Sequence, residues 1–360
     1  MRRAGGVLAA LLLLAGVAFA ILHGQTGTER TVTVRGLIGS EKLDFFNDPA
    51  VVDELKARGF KVAMETTGSW SMAGSSLDGY GFAFPSSLPP AEEIRRQRQI
   101  STEPVRPFYS PLVVVAHAPV ADVLLKNGLA TKGSSGVWTF RMGDYLAAVQ
   151  AGRTWQQLQD TAGHADLSGA LYIRTTDPAT SSSGALHLAA VAYLANGGTV
   201  VSDDASLAKV TPLVQKLTQM QGDQKTSSDG PFKDFLSGIG DPLVLVYESQ
   251  VAALVAQGRS TGDLVVLYPD TTVSSDHTAI GLTPDGDRLA GLLRDDEKLR
   301  ALEARYGFRP QADPGAFTGA LAGRQSPAVF APDLSAAGIR QAPVPAFGML
   351  SKLIDAAKGR

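Results

Sequence analysis

The sequence predicts an α/β protein in which a second lobe is inserted into the first, and three observations support this fold class. Residues 30–65 alternate strand, helix and strand patterns, which together predict a β-α-β unit. Two similar apolar strand patterns, residues 111–116 and 242–248, flank a middle region with helices and strands of its own. The chain has 360 residues, 44% of them hydrophobic, which is enough apolar material for two cores.

The first lobe is predicted from local patterns along the chain. Residues 30–35 alternate as a half-buried strand, and the helix pattern 49–58 begins at Pro49 and is stopped by Gly59. Further strands are predicted at 60–65, 80–85 and 111–116. The last of these is apolar throughout, which is typical of a strand buried on both faces.

The middle and the end of the chain contain further predicted elements. Candidate helices of the middle region are 143–151, 154–160, 184–195 and 206–219, and its clearest strand is 169–174. After it we expect a strand at 264–269, a charge-rich helix at 295–305 and a short terminal helix at 347–357.

The N-terminus is typical of an exported protein. Arg2 and Arg3 precede an uncharged run, residues 4–22, in which Ala18-Phe19-Ala20 satisfies the small-x-small cleavage rule of a signal peptide. The run also has about the 18 residues needed to span a bilayer. We favour a signal-anchor and spacer over residues 1–29, with the remaining chain outside the cell membrane. The alternative is a protein secreted after cleavage.

Composition excludes several classes of function. The net charge of −2 and the absence of a basic patch argue against nucleic-acid binding. The chain has no cysteine, which excludes disulfides, thiolate metal sites, cysteine nucleophiles and lipid attachment through cysteine. An exported protein that acts at the membrane and has no lipidated cysteine needs another attachment to it, which favours the anchor.

An enzymatic activity is not expected. The five histidines lack metal-ligand spacing, and the sequence contains no phosphate-binding loop, dinucleotide fingerprint or nucleophile elbow. Ser206 and Lys209 match the Ser-x-x-Lys pattern of penicillin-binding enzymes, but its partner motifs are missing. No cofactor is expected either.

The loop at residues 177–184 is the most informative segment of the sequence. It is rich in serine and threonine, follows a predicted strand and precedes the apolar helix pattern 184–195. Hydroxyls together with the free N–H groups of a first helical turn form a cradle for an anionic or strongly polar group. The alternative is a well-capped helix entrance with no other role.

Six short segments, this loop among them, occur in a characteristic order along residues 31–310. They are Gly39-Ser40, Gly68-Ser69, residues 106–115, residues 177–184, residues 247–250 and residues 306–310. In this order they resemble the extracellular solute-binding proteins of the type II periplasmic-binding fold, in the branch with molybdate- and sulfate-binding members.

This resemblance implies two α/β lobes joined by two hinge strands, with a ligand held in the cleft between them. It places lobe 1 at residues 30–113 and 246–310, lobe 2 at 114–245, and a C-terminal extension packing on lobe 1 at 311–360. Position by position, the implied ligand contacts are Ser40, Ser69, Ser182, Ser183 and Tyr247. Each of these residues also suits a turn, a cap or, for Tyr247, core packing.

The identity of the ligand stays open at the level of sequence. Neutral hydroxyls and helix N-termini can bind sulfate or molybdate without a counter-charge. Glu248, beside Tyr247, would repel such an anion if it faced the cleft, unless Arg106, Arg141 or Arg174 compensates. Trp70 is large for a small-anion pocket, so it either stacks on an organic ligand or belongs to the core.

The sequence thus predicts a binding protein for a small polar or anionic solute that serves an ABC-type importer and contacts its permease. The alternative is a membrane-anchored surface sensor or scaffold that uses the same fold to bind another protein. In both cases the N-terminal helix is expected to interact with the cytoplasmic membrane.

Overall fold

The computed structural model of the protein describes residues 31–164 and 167–360. The expected signal-anchor and spacer lie outside the described residues. Within the described ranges, no helix has the length and apolar character needed to cross a membrane.

The strands are, in chain order, β1 Val32–Ile38, β2 Phe60–Thr66, β3 Phe82–Phe84, β4 Val105–His117, β5 Ala130–Lys132, β6 Trp138–Phe140, β7 Val244–Tyr247, β8 Leu264–Pro269, β9 Thr271–Thr272, β10 Ser274–Gly281, β11 Arg309–Pro310 and β12 Arg340–Gln341.

The α-helices are α1 Leu43–Asn47, α2 Pro49–Ala57, α3 Leu88–Gln97, α4 Ala118–Lys126, α5 Met142–Gln150, α6 Ser182–Ala195, α7 Asp204–Gln219, α8 Asp229–Leu236, α9 Glu248–Ala256, α10 Pro284–Asp295, α11 Glu297–Arg305, α12 Pro314–Leu321 and α13 Phe347–Ala357. Short 3-10 turns cover Ser40–Lys42, Ser71–Gly74 and Trp155–Gln157.

A long strand, β4, connects the two lobes of the molecule. The sheet has the order β2-β1-β3-β10-β4-β8-β6-β5, and β7 and β11 also pair with β4. The N-terminal half of β4 pairs with β10 and β11, and its C-terminal half pairs with β7 and β8. We define lobe 1 as β1–β3, β10 and the first half of β4 with their helices, and lobe 2 as β5–β8 and the second half of β4 with theirs.

The second half of β4 is buried on both faces, as its apolar sequence predicts. Leu112 and Val114 belong to the core that includes α6 and α7. Val113 and Val115 belong to a separate core on the opposite face, which includes β7 and α9. Because both faces are covered, this strand is a rigid support for the loops around it.

The parallel pairing of β1 with β2 and β3 explains where the loops of lobe 1 meet. β1 pairs in parallel with both strands, so their carboxyl ends lie at one edge of the sheet. The loops that follow them contain Ser40, Ser69 and Ser86. In open α/β sheets, ligands bind beyond this edge.

Several expected elements differ in the structure. Residues 169–174 form no regular strand, because only single bridges join Ala170 to Thr154 and Arg174 to Val244. The helix expected at 154–160 is limited to the 3-10 turn at Trp155–Gln157. Strand β10 was not predicted, although it forms the return connection to lobe 1, because its polar sequence Ser274–Thr278 lacks an apolar alternation.

The C-terminal extension contacts both lobes. Helix α12 packs on α9 and α11, whereas α13 packs mainly on α7 and α6 and also contacts α3. Helix α13 therefore contacts both lobes, with most of its packing on lobe 2. Leu350, Leu353 and Ile354 form an apolar stripe that joins the lobe 2 core. The residue boundaries expected for the two lobes stay predictions.

Candidate functional site

The loop after β1 brings a carboxylate and an ammonium group to the carboxyl edge of the lobe 1 sheet. Gly39 directly follows the end of β1, and residues Ser40–Lys42 form a 3-10 turn that leads into α1. A side chain at Gly39 would lie 2.5 Å from Ser69 Oγ and 2.6 Å from both Glu41 Oε1 and Ser86 Oγ. Glycine is therefore required at this position for the three polar groups to come together.

These groups form a buried polar cluster, which we call the Glu41 cluster: Glu41, Lys42, Ser69, Ser86 and His277. Glu41 Oε1 forms an ion pair with Lys42 Nζ and accepts a hydrogen bond from Ser86 Oγ. Lys42 Nζ donates to Ser86 Oγ at 3.2 Å and lies 3.1 Å from His277 Nδ1. Ser69 Oγ and Ser86 Oγ are 2.7 Å apart. The side chain of Lys42 is fully buried and that of Glu41 is 5% exposed.

Burial and proximity shift the pKa values in this cluster. Burial acts to raise the pKa of Glu41, but Lys42 and His277 outweigh it and hold the pKa well below its usual range. Burial lowers the pKa of Lys42, opposed by Glu41. Burial and then the charge of Lys42 lower the pKa of His277 to about 4. At neutral pH the histidine is uncharged, so its Nδ1 can accept a hydrogen bond from the ammonium group.

The loop after β2 joins lobe 1 directly to lobe 2. The backbone N–H groups of Trp70 and Ser71 donate to the carbonyl oxygen of Thr180 at 3.0 and 3.2 Å. Gly68 packs so closely on the same carbonyl that a Cβ at this position would overlap it. Ser69 is thereby held at the interface of the two lobes.

The hydroxyl-rich loop before α6 provides the lobe 2 side of the interface. Ser183 Oγ lies 2.8 Å from Thr176 Oγ1 and 3.0 Å from Ser181 Oγ. Ser182 Oγ lies 2.9 Å from the hydroxyl of Ser87 in lobe 1. The loop can place its hydroxyls here because α6 is buried against α7 and α13 and cannot shift.

Tyr247 links the hydroxyls of the two lobes. It ends β7, and its side chain is 1% exposed. Its hydroxyl lies near the side-chain hydroxyls of Ser86, Ser275 and Ser183, which partly oppose the rise in its pKa. Burial and the charge of Glu41 raise the pKa of Tyr247, so the phenol stays protonated and can donate.

Among the five predicted ligand contacts, Ser40 is the one whose side chain lies away from the hydroxyl-rich interface. Its side chain hydrogen-bonds to Asp229 of α8, which also accepts from Gln250 Nε2 at 3.0 Å. Burial and the nearby charge of Glu41 raise the pKa of Asp229. The structure therefore brings Ser69, Ser182, Ser183 and Tyr247 to the hydroxyl-rich interface, whereas Ser40 lies on the Asp229 side of Glu41. Ligand contact by any of the five stays a prediction.

Glu248 and Trp70 do not face the site. Glu248 is fully buried and forms a bidentate ion pair with Arg309, at 2.6 and 2.8 Å, in the core behind β7. Trp70 stacks on Phe347 with ring centroids 4.7 Å apart. Glu248 and Trp70 are therefore engaged with other side chains and do not belong to the Glu41 cluster.

The three arginines considered from the sequence have acidic partners of their own. Arg106 pairs with Asp276, Arg141 with Asp144 and Arg174 with Asp241. The positive charge in the Glu41 cluster is instead that of Lys42.

Sequence reasoning missed five residues of the site: Glu41, Lys42, Ser86, Ser275 and His277. Ser86 and Ser87 follow the strand pattern 80–85 and could have been found by the rule that selected Ser69. Nothing in the sequence marks Lys42 as buried, because an isolated lysine next to a glutamate is usually solvated.

Cavities lie on either side of the interface. One of about 1270 Å³ is bounded by α3, by Leu186 of α6 and by residues 344–348. A smaller cavity of about 170 Å³ is lined by Glu41, Asp229 and Gln250 among others. In the described part of the chain, no three acidic or histidine side chains are grouped as metal ligands.

Comparisons with known proteins define the fold. No family model matches the sequence, and no curated protein matches it significantly. The structure is similar to the sulfate-binding protein SubI from Mycobacterium tuberculosis, with 16% identity over 83% of this chain and 94% of that one and a TM-score of 0.54.

Two further structures share the fold. Iron-bound HitA from Pseudomonas aeruginosa is 12% identical over 91% of this chain and 99% of its own, with a TM-score of 0.58. The periplasmic binding protein AfuA from Actinobacillus pleuropneumoniae, with fructose-6-phosphate bound, is 12% identical over 90% of this chain and 96% of its own, with a TM-score of 0.55. These matches confirm the two-lobe fold predicted from the sequence.

Proposed function

We propose that this chain, which has the two-lobe type II periplasmic-binding fold, is an extracytoplasmic protein that binds a small polar solute between its lobes. One observation carries the proposal: buried hydroxyls from both lobes meet in a single network. Ser69 and Ser86 enter it from lobe 1, Ser183 enters it from lobe 2, and the Tyr247 hydroxyl lies near both sides.

Such a network suits a solute that is released when the lobes separate. Each hydroxyl can donate and accept, so the groups that pair with one another in the closed molecule can pair with a solute instead. Ser87 and Ser182 pair across the lobe interface, and this contact is lost when the interface opens. Hinge motion of two lobes around a bound solute is an established mechanism for proteins of this architecture.

The proposal includes export and membrane attachment through residues 1–29. The positively charged start and the apolar run of residues 4–22 support it. A protein held at the outer face of the membrane could deliver its solute to the permease of an ABC-type importer. Of the three similar structures, SubI and AfuA are described as binding proteins and HitA as iron-bound, which is consistent with this role.

Native mass spectrometry of the protein purified from its host tests the proposal, followed by isothermal titration with the solute so identified. We expect one small polar molecule per chain. Ser183→Ala should weaken its binding by roughly tenfold, because a buried hydrogen-bond partner is lost. Ser237→Ala is the matched control, since this serine caps the end of α8 at the surface. Failure to bind any polar solute contradicts the proposal.

A second candidate function is a sensor or scaffold whose partner is another protein. It is supported by α13, which contacts both lobes and would oppose their separation. Cross-linking at the surface of the native host distinguishes the two functions. Recovery of permease subunits favours the importer, whereas recovery of a signalling or structural protein without permease subunits favours the sensor.

A further inference from the structure

The Glu41 carboxylate binds the donors that a free oxyanion would need. Ser86 Oγ donates to it, and Lys42 Nζ forms its ion pair. Among the described residues, Lys42 is the fully buried cation of the interface, and it has no access to solvent. Gly39 gives the carboxylate the space to reach these donors, since a side chain there would collide with Glu41 Oε1.

This arrangement resembles an occupied anion site in which the anion belongs to the protein. The Ser86 hydroxyl and the Lys42 ammonium group converge on Glu41 Oε1, as they would on an oxygen of sulfate. The charge of Lys42 is balanced by Glu41, and Asp229 adds a second carboxyl group on the Ser40 side. The polar cluster therefore has no unbalanced positive charge to offer.

We propose that Glu41 is a specificity-determining residue, a built-in carboxylate that excludes free oxyanions from the site and restricts the solute to uncharged or positively charged polar molecules. This inference rests on the proposed binding function and defines its solute class. The Glu41 carboxylate permanently pairs with the donor groups that would otherwise bind a free anion.

The extent to which Glu41 weakens anion binding can be calculated from electrostatic repulsion. Two unit negative charges about 4 Å apart, at an effective dielectric constant of about 20, repel strongly enough to weaken binding about a thousandfold. A dianion such as sulfate or molybdate is repelled more strongly. Removal of the carboxylate charge leaves Lys42 unbalanced and converts the same donors into an anion site.

The test is isothermal titration of sulfate, molybdate and inorganic phosphate into the wild-type protein and into Glu41→Gln. We expect no binding to the wild type at millimolar anion, and a gain of at least about a hundredfold in the variant. Glu54→Gln is the matched control, because Glu54 is a nearly buried glutamate of lobe 1 whose partners are Arg58 and Lys298. This control should gain no anion binding.

Replacement of Lys42 shows where the anion binds in the Glu41→Gln variant. Adding Lys42→Met to Glu41→Gln should abolish the gained binding, because the buried positive charge that attracts the anion is removed. If Glu41→Gln does not fold alone, its thermal unfolding is measured with millimolar sulfate. Recovery of a cooperative transition by sulfate supports the inference, and no recovery contradicts it.

Micromolar binding of any of the three anions to the wild type overturns the inference, as does a folded Glu41→Gln that binds none of them. These outcomes are distinct from failure of the proposed function. That failure would be the absence of any bound solute in the wild type, whatever the anion titrations give.

Discussion

At the scale of single residues, the Glu41–Lys42 pair has an energetic cost that the rest of the cluster offsets. Both side chains leave water, and an ion pair alone repays that desolvation only when further hydrogen bonds are made. Ser86 provides one to each partner, and His277 lies 3.1 Å from Lys42 Nζ. The Glu41–Lys42 pair lies at the lobe interface, where a solute held between the lobes would meet its charge. This position suits a role in specificity.

The first prediction concerns pH and His277. Its pKa falls from the ordinary 6.5 to about 4 in the folded protein, so the unfolded chain binds a proton in this range more readily than the folded one. The contribution of His277 to the free energy of unfolding is therefore fully present above pH 6.5, and it is lost as pH falls towards 4. The expected loss is about 3 kcal/mol in the free energy of unfolding.

Urea unfolding of the wild type and of His277→Gln between pH 7 and pH 4 measures this effect. The variant should show a shallower dependence on pH over this range. His187, whose pKa burial also lowers to about 4, contributes in the same direction, and His187→Gln separates its share. An unchanged pH dependence in His277→Gln would contradict the assignment.

The residues of the site differ in how far the sequence reveals them. Ser69, Ser182 and Ser183 follow strand patterns or begin a helix pattern, and these local signals are enough to find them. Lys42 and His277 are far apart in sequence, and their burial depends on the pairing of β10 with β3 and β4, which no local pattern predicts.

At the scale of elements, α13 connects the lobes in the closed molecule. Phe347 stacks on Trp70 of lobe 1, while Leu353 packs in the core of lobe 2. Lys358 forms an ion pair with Asp177 at 2.7 Å, next to the hydroxyl-rich loop. The helix thereby holds that loop in position from the outside.

The second prediction follows from the burial of Leu353. Leu353→Ala should lower the free energy of unfolding by about 2–5 kcal/mol, because it leaves a cavity in the lobe 2 core. Lys352→Ala, on the exposed side of the same helix, should change it by about 0.5 kcal/mol or less, since its ion pair with Asp204 is at the surface. Chemical denaturation measures both values, and equal effects would contradict the packing.

Some helices with a strong apolar pattern could be predicted from the sequence, whereas α3, α9 and α10 were missed. The 184–195 and 206–219 patterns match α6 and α7 closely because α6 is apolar around most of its circumference and α7 carries an apolar face. Helix α9 was missed because it directly follows β7, so its apolar residues extend the strand pattern without a break.

At the scale of the whole molecule, the fold places the two lobes at the two ends of one strand, β4, and lets their loops meet at one edge. β4 supports both halves of the sheet, and Tyr247 ends the strand beside it. The hydroxyl of Tyr247 lies near side-chain hydroxyls from both lobes. If the lobes bind a solute between them, this hydroxyl is the group best placed to contact it.

The most direct measurement is the affinity of the co-purified solute for the wild type, Tyr247→Phe and Tyr172→Phe. Tyr172 is the control, because its hydroxyl donates to Asp241 at 2.6 Å, away from the interface. We predict that Tyr247→Phe weakens binding about tenfold or more, through loss of a buried hydrogen-bonding group, and that Tyr172→Phe leaves it unchanged. Wild-type affinity in Tyr247→Phe would contradict a binding site between the lobes.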